Sequence, residues 1–179
     1  MSAGRLNPPV GPDDHTRGPD DAPVTLVEYG DYECPHCGRA HPIVERVRRR
    51  LGDRLRFVFR NFPLGEMHPH AMHAAEAAEE AAAQGSFWEM HDALFENQDA
   101  LDDRSLVRHA EALGLDGARM ARALADGTHE ERVRADFMSG VRSGVNGTPT
   151  FFINGRRFDG AWDEAGLAEA LEEAAASRL

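Results

Sequence analysis

The sequence predicts an α/β fold in the order β-α-β, helical block, β-β-α, and three observations carry that expectation. Two β-branched apolar runs, VTLVEY at 24–29 and LRFVFRNF at 55–62, flank one amphipathic helical stretch. From about residue 69 to residue 144 the pattern is helical and punctuated by glycines. The segment TPTFFINGRRFDG then places two short β runs around Asn154-Gly155, and a last helical stretch, DEAGLAEALEEAAASRL, closes the chain. With 179 residues, the chain can bury a full apolar core without help from disulfides or zinc. Its hydrophobic share of 41% and charged share of 28% are those of an ordinary globular protein, which argues against disorder and against membrane spans. A formal net charge of −11 leaves no basic excess to replace phosphate counterions, so nucleic acid is not an expected partner.

Taken in order, the amino terminus MSAGRLNPPVGPDDHTRGPDDAP is rich in Pro, Gly and Asp and holds no apolar run. Residues 1–20 are expected to be an extended segment, unsuited to a secretory h-region or a transmembrane helix, and the chain is expected in the cytoplasm. Pro23 and Gly30 bound the first strand. From Pro35 to about Leu51, Ile43, Val44, Val47 and Leu51 share one helical face, with Pro42 expected to kink the helix. Two strands joined by a single helix form a βαβ unit and should run parallel. In the helical block, SFWEMHDALFENQ opens on Ser86 with Glu89 three residues later, the pattern of a capping box. Residues 21–62 and 145–179 thus read as two halves of one α/β domain, and 63–144 as an all-helical insertion.

Both cysteines of the chain lie in DYECPHCGRAHP, at Cys34 and Cys37. A core of this size needs no staple. A zinc site takes about four convergent ligands, of which Cys-X-X-Cys supplies two. His68, His70 and His73 cluster nearby, but no second Cys pair or His-X3-His accompanies them, so they are expected at polar surface and helix-start positions and no metal is expected. A redox pair remains. A cysteine at the first turn of a helix faces unpaired N–H groups and the positive end of the helix dipole, and both favour its thiolate. Cys34 takes that place, and Pro35 suits the first helical position, where its missing donor is no loss. Cys34 should be exposed at the helix tip and Cys37 half a turn deeper. Asp31 and Glu33, just before Cys34, carry like charge that opposes the thiolate.

Together the strand VEYGDYE, the CPHC motif, FRNFP after the next strand, the helical insertion and GTPTFFING resemble the DsbA-like branch of the thioredoxin superfamily, over roughly residues 20–175. The resemblance implies a thioredoxin fold with the insertion between the second strand and a cis-Pro loop. It implies an enzyme that exchanges disulfides with protein or peptide thiols through a mixed disulfide on Cys34, resolved by Cys37. It also implies no cofactor beyond the Cys34–Cys37 disulfide itself, and a redox partner that recycles the dithiol. His36 would help to stabilise the thiolate. Glu28 would be the family's buried acid, exchanging protons with Cys37 as the disulfide opens. Thr148-Pro149 would be the cis-proline loop that faces the disulfide and pairs with an extended substrate chain. Thr148 departs from the family's best-known oxidase, where valine is usual. The expected direction is oxidation or isomerisation of substrates. The alternatives are a cytosolic disulfide reductase, or a non-enzymatic protein that binds peptides or serves as a redox switch.

Overall fold

The computed structural model describes residues 4–177. The first strand, β1 (His15–Arg17), is followed by β2 (Val24–Gly30), α1 (Pro35–Leu51) and β3 (Leu55–Asn61). The helical block is α2 (Ala71–Ala83), α3 (Phe87–Glu96), α4 (Asp103–Ala112), α5 (Gly117–Asp126) and α6 (Glu130–Arg142); β4 (Thr150–Ile153), β5 (Arg156–Phe158) and α7 (Glu164–Ala176) complete the chain. The strands form one sheet in the order β1-β3-β2-β4-β5. The chain divides into two compact units. One holds the sheet and consists of residues up to Gly30, Arg39–Arg60 and the chain from Met138; the other is Asp31–Gly38 with Asn61–Phe137.

In the sheet unit, all seven residues of β2 are buried, Thr25 and Glu28 with the apolar ones, as suits the centre of a sheet covered on both faces. Leu26, Tyr29, Phe57, Phe59, Phe151 and Phe152 form its fully buried large side chains. Helix α7 packs on β2 through buried Leu167, Ala168 and Leu171. The hairpin forms at the Asn154-Gly155 step: β4 and β5 pair antiparallel, with Ile153 opposite Arg156. Asn154 at φ 49° and Gly155 at φ 82° supply the two left-handed residues that such a two-residue turn requires.

The amino-terminal segment is not merely extended. His15–Arg17 pairs antiparallel with β3, His15 opposite Phe59. Three polar residues give no period-2 signal, so the strand is made by its partner rather than by its own propensity. A buried ion pair holds the segment, with Arg60 Nε donating to Asp14 Oδ1 at 2.8 Å while Arg60 Nη1 donates to the Pro8 carbonyl at 3.0 Å and to Tyr29 Oη at 2.9 Å.

In the helical unit, α2 buries Ala71, Ala74, Ala75, Ala77, Ala78 and Ala81, small residues that let α3, α4 and α5 approach it closely. The capping box expected at Ser86 does not form. Gly85 ends α2 at φ 87°, and the Ser86 N–H donates to the Ala81 carbonyl at 2.8 Å, while Gly85 N–H donates to Ala82 at 3.0 Å. This Schellman closure consumes the backbone donor that Glu89 would have to reach. The Ser86 hydroxyl makes no capping hydrogen bond.

Helix α2 also buries the carboxyl of Glu76. Burial pushes its pKa up; His73 opposes the shift, Glu130 adds to it, His129 opposes it and Asp103 adds to it. A carboxyl whose folded-state pKa is raised gives its full contribution to stability below the unfolded value of about 4.3 and loses it as pH rises through the folded value. Glu76→Gln removes that loss. Urea denaturation between pH 4 and pH 8 should find the variant more stable than wild type at neutral pH, with the difference closing as pH falls toward about 4. A constant difference across this range would assign the effect to packing instead.

Candidate active site

The strand β2 delivers the chain to Asp31, and three residues later the helix begins. Cys34 is the residue before α1 and Pro35 its first residue, as the pattern predicts. The Cys34 carbonyl accepts the first helical bond, from Gly38 N at 3.0 Å, and the Cys34 N–H donates to the Asp31 carbonyl at 3.1 Å. Arg48, Arg49 and Arg50 in the last turn of α1 complement the negative end of its dipole, while no acidic residue in the first turn offsets the positive end that Cys34 meets.

Cys34 is not exposed as expected: it is 3% exposed, and Cys37 0%. Within the helical unit, Gln98 lies over the start of the helix, its Nε2 donating to the carbonyls of Tyr32 and Cys34 at 2.9 Å each. Gly38 makes room for it, because a Cβ there would collide with Gln98 Oε1. Tyr32 is buried beside them, its hydroxyl 2.9 Å from His91 Nδ1 and its ring 4.8 Å from Phe95. Pro35 and His36 are exposed, so the turn between the cysteines carries the solvent-facing part of the motif.

Asp31, whose charge the sequence sets against the thiolate, has partners that the sequence does not show. Its side chain is 0% exposed. Its Oδ1 accepts from Glu33 N at 2.8 Å, and its Oδ2 accepts from Leu64 N at 3.0 Å and lies 2.8 Å from His68 Nδ1. Glu33 is engaged likewise, its Oε1 accepting from His70 N at 2.8 Å. Donors therefore offset the carboxylates that were expected to oppose a thiolate. The Asp31 backbone faces both cysteines: its carbonyl accepts from Cys34 N, and its N–H donates to Cys37 Sγ at 3.5 Å. A donor to sulfur favours the charged form of that thiol. Of the three clustered histidines, His68 meets Asp31, the His70 backbone meets Glu33, and His73 Nδ1 lies 2.6 Å from Asp103 Oδ1, so each engages a different carboxylate.

The remaining candidates lie in the sheet unit. Glu28 is on β2 and 2% exposed. It stands opposite Phe151 of β4, and Tyr29 stands opposite Thr150, which sets the Thr148-Pro149 loop at the end of the strand paired with that of Glu28. The Thr148-Pro149 peptide bond is cis. Beyond it opens a cavity of about 330 Å³ lined by Asn146, Pro149, Thr150, Phe158 and Trp162, among others.

The thioredoxin family matches this chain over residues 11–173. Among solved structures, BdbD from Bacillus subtilis is similar with a TM-score of 0.84 at 27% identity, covering 97% of this chain and 97% of that one. A thioredoxin-like oxidoreductase from Silicibacter pomeroyi is similar with a TM-score of 0.80 at 27% identity, covering 92% and 93%. Among curated relatives, the Na(+)/H(+) antiporter NhaA 3 of Salinispora tropica is 51% identical over 172 residues, which are 94% of this chain and 26% of that protein. The chain thus spans about a quarter of the length of the curated relatives it matches.

Proposed function

The chain belongs to the thioredoxin family, and from that premise we propose that it is a DsbA-like thiol:disulfide oxidoreductase, which exchanges disulfides with protein or peptide substrates through Cys34. The observation that carries the reading is the placement of Cys34 at the positive end of α1, with the Asp31 N–H donating to Cys37 Sγ behind it. In the oxidising direction a substrate thiolate attacks Cys34 Sγ of the Cys34–Cys37 disulfide. That S–S bond breaks, a mixed disulfide forms, and Cys37 leaves as the thiolate and takes up a proton. A second substrate thiolate then attacks the substrate sulfur of the mixed disulfide and releases Cys34 as its thiolate. The substrate is oxidised by two electrons and the enzyme holds them as its dithiol. Isomerisation starts instead from the dithiol: the Cys34 thiolate attacks a substrate disulfide, one substrate sulfur leaves as a thiolate, and another substrate thiolate then attacks the mixed disulfide and releases Cys34, with no net change in oxidation state.

The resemblance gives Glu28, buried on β2, the part of passing the proton to and from Cys37. Exposed His36 offers a ring N–H beside the Cys34 thiolate. The Thr148-Pro149 loop offers backbone to an extended substrate chain, and the cavity bordered by Phe158 and Trp162 receives its apolar side chains. The dithiol is the sole redox group that the reaction needs, and a partner thiol or disulfide recycles it. Among the described residues no helix is long and apolar enough to cross a membrane, and ion transport is no part of the proposal.

The direction of exchange is tested by the equilibrium of the Cys34/Cys37 pair with glutathione. The Asp31 N–H on Cys37 Sγ and the positive end of α1 at Cys34 stabilise the reduced form, so the potential is expected above about −220 mV, in the range of oxidants and isomerases. A potential near that of thioredoxin, about −270 mV, would make the enzyme a reductase.

A further inference from the structure

Within the sheet unit, a second cavity of about 350 Å³ is lined by Arg5, Leu6, Val27, Arg56, Asn154 and Arg156, among others, and by no carboxylate. None of these residues has a part in the exchange chemistry. Arg5 and Arg156 are directly opposite each other in an antiparallel bridge. The bridge is held by Leu6 N donating to the Gly155 carbonyl and Arg157 N donating to the Gly4 carbonyl, each at 2.9 Å. Side chains so placed project to one face with Cβ atoms about 5 Å apart, where like charges repel. The third guanidinium comes from β3, and its Nε donates to Thr25 Oγ1 at 3.1 Å.

Three cations converging without an acid are unexpected in a chain with 31 acidic residues and 20 basic ones. Among the described residues, Arg5, Arg56 and Arg156 enter no ion pair, as is also true of Arg49, Arg54 and Arg142 of the same unit, but Arg5, Arg56 and Arg156 are gathered on one cavity, whereas Arg17, Arg46, Arg50, Arg60 and Arg157 each meet a carboxylate. A local rule broken without compensation inside the protein marks a place where the compensation comes from outside. Leu6 and Val27 give the cavity buried apolar walls. Asn154 Oδ1 accepts from Thr25 N at 2.9 Å, so its amide nitrogen remains as a further donor.

We propose that this cavity binds a small organic phosphate, its phosphate oxygens gripped by Arg5, Arg56 and Arg156 and its apolar part set against Leu6 and Val27. A single carboxylate would neutralise one of three cations. A phosphate monoester carries nearly two negative charges and three acceptor oxygens, and the planar guanidinium fork binds it in bidentate fashion. The same chemistry is offered by a free phosphoester and by the headgroup of phosphatidic acid.

The test is calorimetric titration of the full chain with phenyl phosphate, with acetate as the control anion, beside sedimentation with vesicles of phosphatidylcholine with and without phosphatidic acid. The variants are R5Q, R156Q and the double variant, whose exchange activity should equal that of wild type. The proposal expects phenyl phosphate to bind wild type at least tenfold more tightly than acetate. It expects a loss of tenfold or more in either single variant, and a rise in Tm with phenyl phosphate for wild type but not for the double variant. Binding to phosphatidic acid vesicles, lost in the double variant, assigns the site to a lipid headgroup; binding of phenyl phosphate without vesicle binding assigns it to a free phosphoester. Equal affinity in wild type and the double variant overturns the proposal. So does no binding of either phosphate form at millimolar concentration, or binding of acetate or an acidic peptide as tightly as phenyl phosphate.

Discussion

Cys34→Ser is expected to abolish disulfide exchange, and Cys37→Ser to turn the protein into a trap for its substrates. The two thiols are chemically alike and three residues apart, so the difference must come from their surroundings. Cys34 precedes the first residue of α1, while Cys37 lies inside the helix and is 0% exposed. A thiol at the helix start gains from the dipole and from its unpaired donors. Without its nucleophile the exchange rate should fall by more than about 10³-fold, to the level of the uncatalysed reaction. With Cys34 present and Cys37 gone, the Cys34 thiolate still attacks a substrate disulfide and forms the mixed disulfide, but no Cys37 thiolate is there to release it. Non-reducing gel analysis should then show adducts that a reducing agent releases. A chain that merely binds peptides, holding its cysteines as a switch, would instead bind equally well with both cysteines replaced and show no turnover when intact.

Asp31→Asn is expected to have the second largest effect, on stability and on potential together. The carboxylate serves Glu33 N, Leu64 N and His68 Nδ1 with two oxygens. An amide keeps one of those oxygens and faces the other donors with an N–H₂. At least one buried donor is left unsatisfied, which costs about 2 kcal/mol in chemical denaturation. The effect on potential separates two forces. If the carboxylate acts by fixing residue 31, whose N–H donates to Cys37 Sγ, its loss weakens thiolate stabilisation and makes the pair a poorer oxidant. If its charge dominates, its loss favours the thiolate and makes the pair a stronger one. Three donors already offset that charge, so the first outcome is expected. The equilibrium with glutathione should move toward the disulfide by up to about tenfold, or ~30 mV. A shift of similar size in the opposite direction would show that the expectation from sequence, a carboxylate opposing the thiolate, was the sounder one.

The parts of the fold that were legible were those in which the chain signals to itself over short distances. The start of α1 at Pro35 follows from a strand meeting Cys-Pro, and the β4–β5 turn from Asn154-Gly155. Each helix of the insertion carried its own apolar stripe, and all but α3 a glycine stop. What could not be read depended on partners far along the chain. Strand β1 exists because β3 offers it a ladder. Cys34 is covered because Gln98, 64 residues later, donates to its carbonyl. Asp31 looked like a bare charge next to a thiol because its partners are 33 and 37 residues away. The capping box failed for a subtler reason: Ser86 is at once the residue after one helix and the cap of the next, and the first helix claimed its N–H. Side-chain roles that rest on such contacts leave no periodicity to detect.

The central claim is that Cys34 forms the bond with substrate. It is tested most directly by mixing the oxidised wild-type protein with an excess of a single-thiol peptide, quenching with acid within milliseconds to seconds, and mapping the disulfide by mass spectrometry. The account predicts peptide joined to Cys34, with Cys37 appearing as a thiol at the same rate. Peptide found first on Cys37, or turnover without any covalent adduct, would contradict it.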